Sequence, residues 1–463
     1  MPCPYLNRGN TIMPRLPLEG IRVLDSTYVF ALPYTGGQLA DLGAEVIKVE
    51  GPGRPDITRT GGLYGTFPDN VLGEDWWNRP STFHLLNRGK RSLTLDMSTQ
   101  RGRDLFRQMV SLSDVVMENF TPRVMRGWEL DYPNLKKIKP DIILVSNTGY
   151  GHGDGPYSSY PAQATTQEGT HGHCWVTGYP DGEPSKAGRS FVDFLSTWSA
   201  IFAIGAALRY RNQTGKGQWI DIGMYQAGVI FLSEYIMDAI VNGREGRRIG
   251  NRHPYRAPQG CYPAQGHDQW IALSVGSDQE WLALCSLMGR EELVHDPRFA
   301  DLLSRQKHHD EIDQIIADWT REHDRYDLMH QLQGAGIPAG PVLTGKDVHF
   351  DPHYKSRNFL ERVESPPERN IGPRILMGRP YKFSNTPLNI KGPAPAFGEG
   401  NQHFLKDLLG VDDETYQGLV QDAIISSIPT SGEPSPTPHP KEAVARGQMA
   451  DWDPDYKERL GLS

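Results

Sequence analysis

Residues 20–50 read GIRVLDSTYVFALPYTGGQLADLGAEVIKVE and carry the pattern that decides the fold. The short β-branched run Ile21–Leu24 is typical of a strand, and Pro33 suits the first turn of a helix. The stretch Ala44–Val49 is apolar again and indicates a second strand. Strands and helices continue to alternate as far as Ile142–Val145, which is typical of a parallel sheet. We therefore expect an α/β protein whose large, Rossmann-like domain starts with a βαβ unit.

The acid at the end of the second predicted strand, Glu50, also suggests a dinucleotide-binding protein. Such proteins use a G-x-G-x-x-G turn after the first strand, but this chain reads STYVFALPYTGG there. The later GYGHGDG has Asp154 where the third glycine should stand, and no P-loop lysine follows it. NAD and ATP are therefore disfavoured ligands.

Composition and charge exclude some classes of partner. The 463 residues are 38% hydrophobic and 22% charged, and their formal net charge is −8. Nucleic-acid-binding surfaces are strongly basic, so we expect no nucleic-acid partner. The opening MPCPYLNRGNTIMP lacks the apolar core of a signal peptide, and the four cysteines are far apart, so we expect a cytoplasmic protein. The uncharged run Phe194–Leu208 is shorter than the roughly 17 to 25 residues of a membrane span, so we expect a buried core helix and no membrane partner.

Shifts in composition divide the chain into four predicted parts. Residues 18–225 are expected to form the first part of the large domain. The helix-rich residues 226–345 are expected to form a small domain, and residues 346–428 to return to the large one. Residues 429–463, which include PTSGEPSPTPHPKE, are expected to form an extended proline-rich C-terminal tail.

Several clusters have residue types that carry chemistry. His171, His173 and Cys174 are metal-ligand types, but no second pair at zinc spacing follows, so a loop is favoured and no metal is expected. No G-x-S-x-G elbow occurs, which disfavours a Ser-His-Asp hydrolase. Basic residues recur near glycines at the ends of predicted elements: Lys48, Arg54, Arg88, Lys90, Arg91, Arg123 and Arg126. This pattern is typical either of a solvated face or of a site for a phosphate or another anion.

Asp193 is a single acid immediately before the uncharged run, in GRSFVDFLSTWSAIFAIGAALRYRNQTGKGQ, residues 188–218. Aspartate is a favoured N-cap residue, so capping alone explains an aspartate at a helix start. A carboxylate in apolar surroundings is also poorly hydrated and therefore a better nucleophile, while helix-start amides stabilise a nearby oxyanion. The sequence pattern leaves both roles open.

A series of motifs resembles the class III CoA-transferases, the family that includes formyl-CoA transferase, carnitine CoA-transferase and α-methylacyl-CoA racemase. The resemblance covers residues from about 19 to 425. The motifs occur in the family's order: GIRVLDSTYV, LADLGAEVIKVEGPGRPD, LNRGKRSLTLDM, DVVMENFTP, GYGHGDGPY, RNQTGKGQWIDIGM, GIPAGPV, RPYKFSNTP and PAPAFGEG.

The resemblance implies that Asp193 is the catalytic nucleophile and that coenzyme A, delivered as acyl-CoA, is a substrate. Asp193 would attack the thioester and form an acyl anhydride, and the CoA thiolate would then attack the aspartyl carbonyl. An acceptor carboxylate would take the acyl position before CoA is returned to it. The resemblance further implies CoA contacts from a set of residues in the large domain, with Arg123 as an alternative to Arg126: Val29, Lys90, Asn119, Phe120, Arg126, Thr148 and Gly149.

The resemblance also sets expectations about assembly and substrate. It implies an interlocked homodimer, although a heteromer with a related subunit stays open. The racemases use a histidine at the position matching Gln163, so racemisation is disfavoured but remains the alternative. The family commonly has Asp and Gln where this chain has Ala164 and Glu168, which bears on the choice of acid. The region 250–266 lacks the glycine-rich flap of the formyl-CoA branch, so oxalate and formate are not favoured.

Overall fold

The computed structural model describes residues 16–61, 67–188, 191–435 and 438–462. The strands are β1 (Arg22–Asp25), β2 (Glu45–Glu50), β3 (Arg91–Thr94), β4 (Val115–Glu118), β5 (Ile143–Thr148), β6 (Trp219–Gly223), β7 (Gln259–Pro263), β8 (Trp270–Ser274), β9 (Ala339–Pro341), β10 (Leu360–Val363) and β11 (Arg374–Met377).

The α-helices are α1 (Ala31–Asp41), α2 (Ser81–Asn87), α3 (Gln100–Ser111), α4 (Pro122–Gly127), α5 (Tyr132–Ile138), α6 (Ala164–Thr170), α7 (His173–Val176), α8 (Phe191–Thr214), α9 (Met224–Val229), α10 (Ser233–Asn242), α11 (Asp278–Leu287), α12 (Leu302–Lys307), α13 (His309–Thr320), α14 (Arg325–Gly334), α15 (Gly345–Phe350), α16 (Pro352–Ser356), α17 (Asp413–Gln421), α18 (Pro440–Ala445) and α19 (Tyr456–Arg459). Short 3-10 helices lie at Ile57–Thr60, Pro68–Asn70, Trp76–Asn78, Ile230–Leu232, Glu291–His295 and Pro367–Arg369, and a π-helix at His403–Leu408.

Six strands form one sheet in the order β3-β2-β1-β4-β5-β6, and every neighbouring pair is parallel. This is the strand order of doubly wound α/β folds, in which the order reverses between β1 and β4. The predicted α/β fold with a parallel sheet is confirmed. Ligands of such folds bind outside the carboxyl ends of the strands at the point of reversal. A ligand site is therefore expected at the loops after β1 and β4.

Both faces of the sheet are buried, because successive side chains of a strand point to opposite faces. On one face Val23, Val115 and Ile143 pack against apolar residues of α1 and α8. On the other face Leu24, Val116 and Leu144 pack against α3, α5 and the segment that contains the π-helix and α17. Helix α8 contributes Ala200, Ile204, Ala207 and Leu208 to a core, so one face of the uncharged run is buried, whereas Phe202 is exposed and the helix is not buried all round as expected.

The described residues cluster into two compact units. The first comprises the described residues up to His171, then Gly188–Leu232 and the chain from His353 onward. The second comprises Gly172–Ala187 and Ser233–Pro352. Its strands β7, β8 and β9 form an antiparallel sheet that packs with α11, α13 and α14 around an apolar core.

The second unit includes a segment that the sequence interpretation assigned to the large domain. Trp175 Nε1 donates to the Gly246 carbonyl at 2.9 Å, and Gly250 N donates to the Gly178 carbonyl at 2.9 Å, so Gly172–Ala187 is held within this unit. No local pattern in residues 172–187 indicates these partners, which lie about 70 residues away. The other predicted domain boundaries stay predictions.

Two helical stretches are long and apolar enough to cross a bilayer by length and composition alone, Phe191–Thr214 and Met224–Asn242. Core helices pass the same test, and α8 has a face in the core. This is weak evidence for a membrane span.

Candidate functional site

The loop that follows β1 has a strained backbone at one of the predicted CoA contacts. Val29 has a φ of +75°, a region that β-branched residues rarely adopt. Its amide donates to both carboxylate oxygens of Asp56 at 3.3 Å, and Asp56 is held in turn by the buried Lys48 at 2.8 Å. Strain of this kind persists only where the surroundings impose it, and it clusters at ligand sites. Val29 therefore lies in a conformationally constrained loop at the carboxyl end of β1, where the strand order of the sheet reverses.

The loop that follows β4 is joined to this strained loop by a side-chain amide. Asn119 Oδ1 accepts from Tyr28 N at 2.8 Å, and Asn119 Nδ2 donates to Tyr28 O at 2.6 Å. Phe120 N donates to Glu118 Oε2 at 2.9 Å, which orients the Phe120 ring toward Tyr28, at 5.8 Å between ring centroids. Asn119 thus uses both ends of its amide to connect the loops after β1 and β4, and Phe120 lies beside that connection.

A cavity of about 310 Å³ opens at the carboxyl ends of β1 to β4. It is lined by Ser26, Tyr28, Val49, Glu50, Gly51, Gly53, Arg54, Leu95, Asp96, Met97, Ser98, Phe120 and Trp128. Tyr28, Phe120 and Trp128 form an aromatic wall, with Phe120 and Trp128 edge-to-face at 5.4 Å. The exposed Arg54 lies at its rim. A flat aromatic wall beside a guanidinium suits a heteroaromatic base that carries phosphate.

Glu50 lines the same cavity, but its carboxylate is already engaged. Arg59 Nε donates to Glu50 Oε1 at 2.9 Å, and Arg59 Nη2 donates to Glu50 Oε2 at 2.8 Å, with both side chains fully buried. A carboxylate that is bound on both oxygens is unsuited to the ribose-binding role that an acid after β2 takes in dinucleotide-binding proteins. The Glu50 carboxylate is therefore occupied by Arg59 rather than open to a ribose hydroxyl.

Lys90, another predicted CoA contact, is buried and makes a full set of hydrogen bonds. Its Nζ donates to Asp25 Oδ2 at 2.6 Å, to Pro33 O at 2.7 Å and to Asn87 Oδ1 at 2.8 Å. An ammonium has three protons, so all of its donors are used in this conformation. Burial lowers the pKa of Lys90 to about 8, although the neighbouring Asp25 opposes the change. A contact with CoA phosphate requires one of these bonds to be given up, and that contact stays a prediction.

Thr148 and Gly149 lie where β5 ends. Thr148 Oγ1 accepts from Gly151 N at 3.0 Å, and the Gly149 carbonyl accepts from Tyr225 N at 2.8 Å. A Cβ on residue 149 would come within 2.2 Å of Ala162 Cβ, so only glycine fits here. These two residues shape the turn after β5, one strand away from the loop of Asn119 and Phe120.

Helix α4 carries both of the arginines that compete for the phosphate role. Arg123 and Arg126 are both exposed, and the helix ends at Gly127, directly before Trp128, which lines the cavity. Arg123 and Arg126 thus lie on the short helix that leads to this wall of the cavity. The geometry does not choose between them, so Arg126 stays the predicted contact with Arg123 as the alternative.

Asp193 lies in the first turn of α8, which begins at Phe191, and its side chain is 9% exposed. It is therefore inside the described helix, two residues beyond its first residue. Thr197 Oγ1 lies 2.9 Å from the Asp193 carbonyl and 2.7 Å from the Ala31 carbonyl, which ties this turn to the start of α1. A cap role at the helix boundary does not by itself account for an acid at this internal, buried position.

The first turns of α1 and α8 lie together, and this brings Val29 and Asp193 to the same region. Phe194 contacts Phe30 and Tyr34 edge-to-face, with ring centroids 5.3 and 5.4 Å apart. Phe30 directly follows Val29, and Phe194 directly follows Asp193. The packing thus joins the predicted nucleophile to the strained loop at the sheet reversal, although the two residues are 164 positions apart in sequence.

Helix α6 supplies buried polar groups that sequence reasoning noted only as departures from the family pattern. Gln163 caps this helix, and Ala164 is its first residue. Glu168 is fully buried, and neither of its carboxylate oxygens meets a hydrogen-bond partner within the described ranges. An unpaired buried carboxylate is costly to a fold, so a group of this kind is expected to serve a ligand.

Three site features, the side chains of Tyr28, Trp128 and Glu118, escaped sequence reasoning. Tyr28 and Trp128, which form the aromatic wall together with Phe120, were missed because no motif marks them: Tyr28 comes three residues after β1, and Trp128 directly follows α4. The third feature is Glu118, at the end of β4. Burial raises the pKa of Glu118 to about 7, despite a hydrogen bond from Ser146 and the nearby His152 at 3.9 Å. Within the described residues, no group of three or more metal-binding side chains comes together.

The sequence profile of CoA-transferase family III matches residues 18–401. The chain belongs to CoA-transferase family III, which confirms the predicted family and the class of enzyme.

Named relatives agree with this assignment. The succinyl-CoA–D-citramalate CoA-transferase of Chloroflexus aurantiacus is 33% identical over 87% of this chain and 96% of its own length. The succinate–glutarate CoA-transferase of Agrobacterium fabrum is 34% identical over 85% of this chain and 96% of its own length. A solved structure of a CaiB/BaiF family protein from Brucella suis superposes with a TM-score of 0.76 at 35% identity, covering 85% of this chain and 99% of that one.

Proposed function

We propose that this enzyme moves CoA from an acyl-CoA donor to a carboxylic acid acceptor through a covalent intermediate on Asp193. The observation that carries the proposal is the position of Asp193 in the buried first turn of α8, packed beside the strained loop at the sheet reversal. Family membership supports the reaction class.

In the proposed reaction the Asp193 carboxylate attacks the thioester carbonyl and the C–S bond breaks. This gives an aspartyl acyl anhydride and CoA thiolate. The thiolate attacks the Asp193 carbonyl and releases the donor acid, leaving an aspartyl-CoA thioester. The acceptor carboxylate attacks this thioester and releases the thiolate, which then attacks the acceptor acyl carbonyl and frees Asp193. Each step exchanges one acyl bond for another, so covalent catalysis divides a difficult exchange into easier steps.

The cavity at the carboxyl ends of β1 to β4 is the proposed seat of the nucleotide end of CoA. The aromatic wall offers a stacking surface to adenine, and Arg54 with Arg126 or Arg123 offers charge to its phosphates. The pantetheine arm is proposed to run from this cavity past Phe120, Asn119 and Val29 toward Asp193 at the start of α8. Thr148 and Gly149, at the end of β5, are the remaining proposed contacts.

Relatives at 33% and 34% identity are named for succinyl-CoA or succinate and for a second dicarboxylic acid. We therefore propose succinyl-CoA as the first donor to test, with dicarboxylic acids such as glutarate and D-citramalate as acceptors. The proposed substrates are soluble small molecules, in keeping with a cytoplasmic location.

Trapping of the acyl-enzyme tests the chemistry directly. The enzyme is incubated with succinyl-CoA and no acceptor, then treated with hydroxylamine, and the peptide containing SFVDFL is examined by mass spectrometry. We expect a hydroxamate on Asp193, because hydroxylamine intercepts anhydrides and thioesters. An unmodified peptide under several active donors, together with solvent deuterium at the substrate α-carbon, would replace transfer by the alternative, an acyl-CoA racemase.

The assembly is proposed to be a homodimer, as the family resemblance implies. Helix α10 has no buried residue, yet Met237, Ile240 and Val241 line one of its faces and are 55%, 73% and 67% exposed. Phe202 on α8 is 81% exposed. Large exposed apolar surfaces of this kind are typical of protein interfaces, and a second copy of this chain is the proposed occupant. A related partner subunit is the alternative occupant.

A further inference from the structure

The turn Gly51–Arg54, which follows β2, forms one side of the cavity. Arg54 N donates to the Gly51 carbonyl at 3.0 Å, which closes the turn. From the cavity side, the Tyr28 hydroxyl accepts from Gly51 N at 3.2 Å and donates to the Arg54 carbonyl at 3.0 Å. The lining of the cavity thus depends on the position of this turn.

The outer side of the same turn is held by residues 428–435, here called the C-terminal strap. Thr430 N donates to the Pro52 carbonyl at 2.9 Å, and Ser431 Oγ donates to the Gly53 carbonyl at 2.6 Å. Ser435 N donates to the Thr60 carbonyl at 2.8 Å, so the contact continues to the end of the following 3-10 helix.

A second attachment lies nearer the end of the described chain. Lys457 Nζ pairs with Asp69 Oδ2 at 2.8 Å, and the Tyr456 hydroxyl donates to Asp69 Oδ1. Asp69 has a φ of +58° and lies in the 3-10 helix Pro68–Asn70. The residues after the strap therefore anchor a second point of the segment that begins with the cavity turn.

The strap lies outside the part of the chain that matches the family profile. The match covers residues 18–401, whereas the turn that the strap holds lies within the motif LADLGAEVIKVEGPGRPD, residues 39–56. A turn inside the matched region is thus held on one side by Tyr28 and on another by a segment beyond the match.

We infer that the C-terminal strap is a positioning element for acyl-CoA, which pre-orders the Gly51–Arg54 turn for the nucleotide end of the ligand. The inference rests on the proposed CoA site in the cavity. Ordering a loop before a ligand arrives lowers the entropic cost of binding. The hydrogen bonds of Thr430 and Ser431 go to backbone atoms of the turn, so loss of the strap should weaken binding of the nucleotide end without slowing the chemistry at Asp193.

Three variants test the inference: a chain that ends at Ser427, the double variant Thr430→Pro with Ser431→Ala, and the control Ser427→Ala. Proline removes the amide that donates to Pro52, and alanine removes the hydroxyl that donates to Gly53. The double variant keeps the test valid if truncation impairs folding. With succinyl-CoA as donor, we expect KM to rise about three- to tenfold in the first two variants, because a turn that is no longer pre-ordered must be ordered when the ligand binds. We expect kcat to stay within about twofold.

Succinyl-pantetheine, which lacks the nucleotide end, separates a positioning role from a general loss of structure. Its KM should not change in any variant. An equal rise in KM for both donors, or an unchanged KM for succinyl-CoA, overturns the inference.

Binding and exchange measurements distinguish failure of the strap from failure of the proposed function. Calorimetry with CoA is done first on the full chain. If the full chain binds CoA and every variant binds it equally, the strap alone is rejected. If the full chain binds no CoA, the proposed function is rejected. The inference about the strap is then rejected too, because it depends on CoA binding in the cavity. Hydrogen exchange of amides 51–60 should be faster in the double variant than in Ser427→Ala, and equal exchange also overturns the inference.

Discussion

Asp193 is the residue on which the proposed chemistry depends. Asp193→Asn keeps the shape of the side chain but removes the nucleophile, and Asp193→Ala removes both. We expect kcat for CoA transfer to fall at least about a thousandfold in each variant, because removal of a covalent nucleophile eliminates the reaction path. Turnover is measured with succinyl-CoA and an acceptor acid, together with the melting temperature.

The exposed Asp181→Asn serves as the matched control and should retain activity. If the melting temperature of an Asp193 variant lies within a few degrees of that of the unsubstituted enzyme, the loss of turnover is due to loss of the nucleophile and not to unfolding. Retained turnover in Asp193→Asn contradicts the assignment, whereas loss of turnover with loss of folding assigns Asp193 a structural role.

Glu118 gives a prediction about pH. Burial raises its pKa from 4.5 to about 7, so between these values the folded protein holds a proton that the unfolded chain releases. Glu118 therefore lowers the free energy of unfolding as pH rises from about 4.5 to about 7, and the loss persists above that window. His152 and Asp221 are the charged groups that face it, and their opposite effects leave burial as the dominant cause.

Glu118→Gln removes this titration while keeping a hydrogen-bond acceptor for Phe120 N. The free energy of unfolding is measured with urea at pH 5 and at pH 8 for both proteins. The difference between the variant and the unsubstituted enzyme should shift in favour of the variant by roughly 1 to 3 kcal/mol from pH 5 to pH 8. The exposed Glu368→Gln should show no such trend. A pH-independent difference for Glu118→Gln counts against the raised pKa.

At the scale of elements, α1 is packed so closely that one of its glycines, Gly36, has no room for a side chain unless its neighbours shift. A Cβ on Gly36 would come within 2.7 Å of Asp25 Oδ2 and within 2.8 Å of Lys90 Nζ. The helix therefore passes directly over the buried Lys90–Asp25 ion pair.

Gly36→Ala tests this packing. Overpacking a buried ion pair should lower the free energy of unfolding by about 1 to 3 kcal/mol, although alanine favours a helix. Gly334→Ala is the matched control, because Gly334 is also helical and a Cβ there meets nothing within 4 Å. The control should be neutral or stabilising by up to about 1 kcal/mol in the same chemical denaturation assay. Equal effects of the two substitutions would show that α1 can shift away from the pair.

The same pair shows why the predicted phosphate role of Lys90 is difficult to test by substitution. Removing Lys90 leaves Asp25 as a buried carboxylate without its ion-pair partner, which typically costs 3–5 kcal/mol. A change in KM at this position therefore reports on folding as well as on binding. Arg54, at the exposed rim of the cavity, is the better position at which to test phosphate binding.

At the scale of the whole molecule, the exposed apolar face of α10 predicts self-association. The enzyme should sediment as a dimer at micromolar concentration, and Ile240→Glu should shift it toward the monomer, because a charge at the centre of an apolar interface is poorly solvated. Leu303→Glu is the control, since Leu303 on α12 is similarly exposed. Analytical ultracentrifugation measures both variants. A chain that sediments as an active monomer contradicts the homodimer, and a chain that becomes active only with a second gene product assigns the surface to a related subunit.

Local patterns were sufficient for the fold class, the family and the candidate nucleophile. The strand, helix and strand of residues 20–50 follow from hydrophobic periodicity and from Pro33, which act over a few residues. The parallel sheet follows from the regular alternation of such units. Asp193 was apparent because a single charge before a long uncharged run contrasts with its neighbours. The CoA contacts themselves rest on resemblance and stay predictions.

Only the tertiary structure decided how the site is assembled. Lys90 meets Asp25 across 65 residues, Asn119 meets Tyr28 across 91, and Ser431 meets Gly53 across 378. The proline-rich tail was predicted to be extended and to wrap over another surface, but the sequence could not identify that surface, because the contacts of the tail are made to carbonyl groups that carry no sequence signature. Periodicity reports which face of an element is buried, whereas these pairs depend on the strand order of the sheet and on where the folded chain returns. The sequence alone therefore determined the elements and the class of chemistry, and packing over long sequence separations determined which side chains remain available to a ligand.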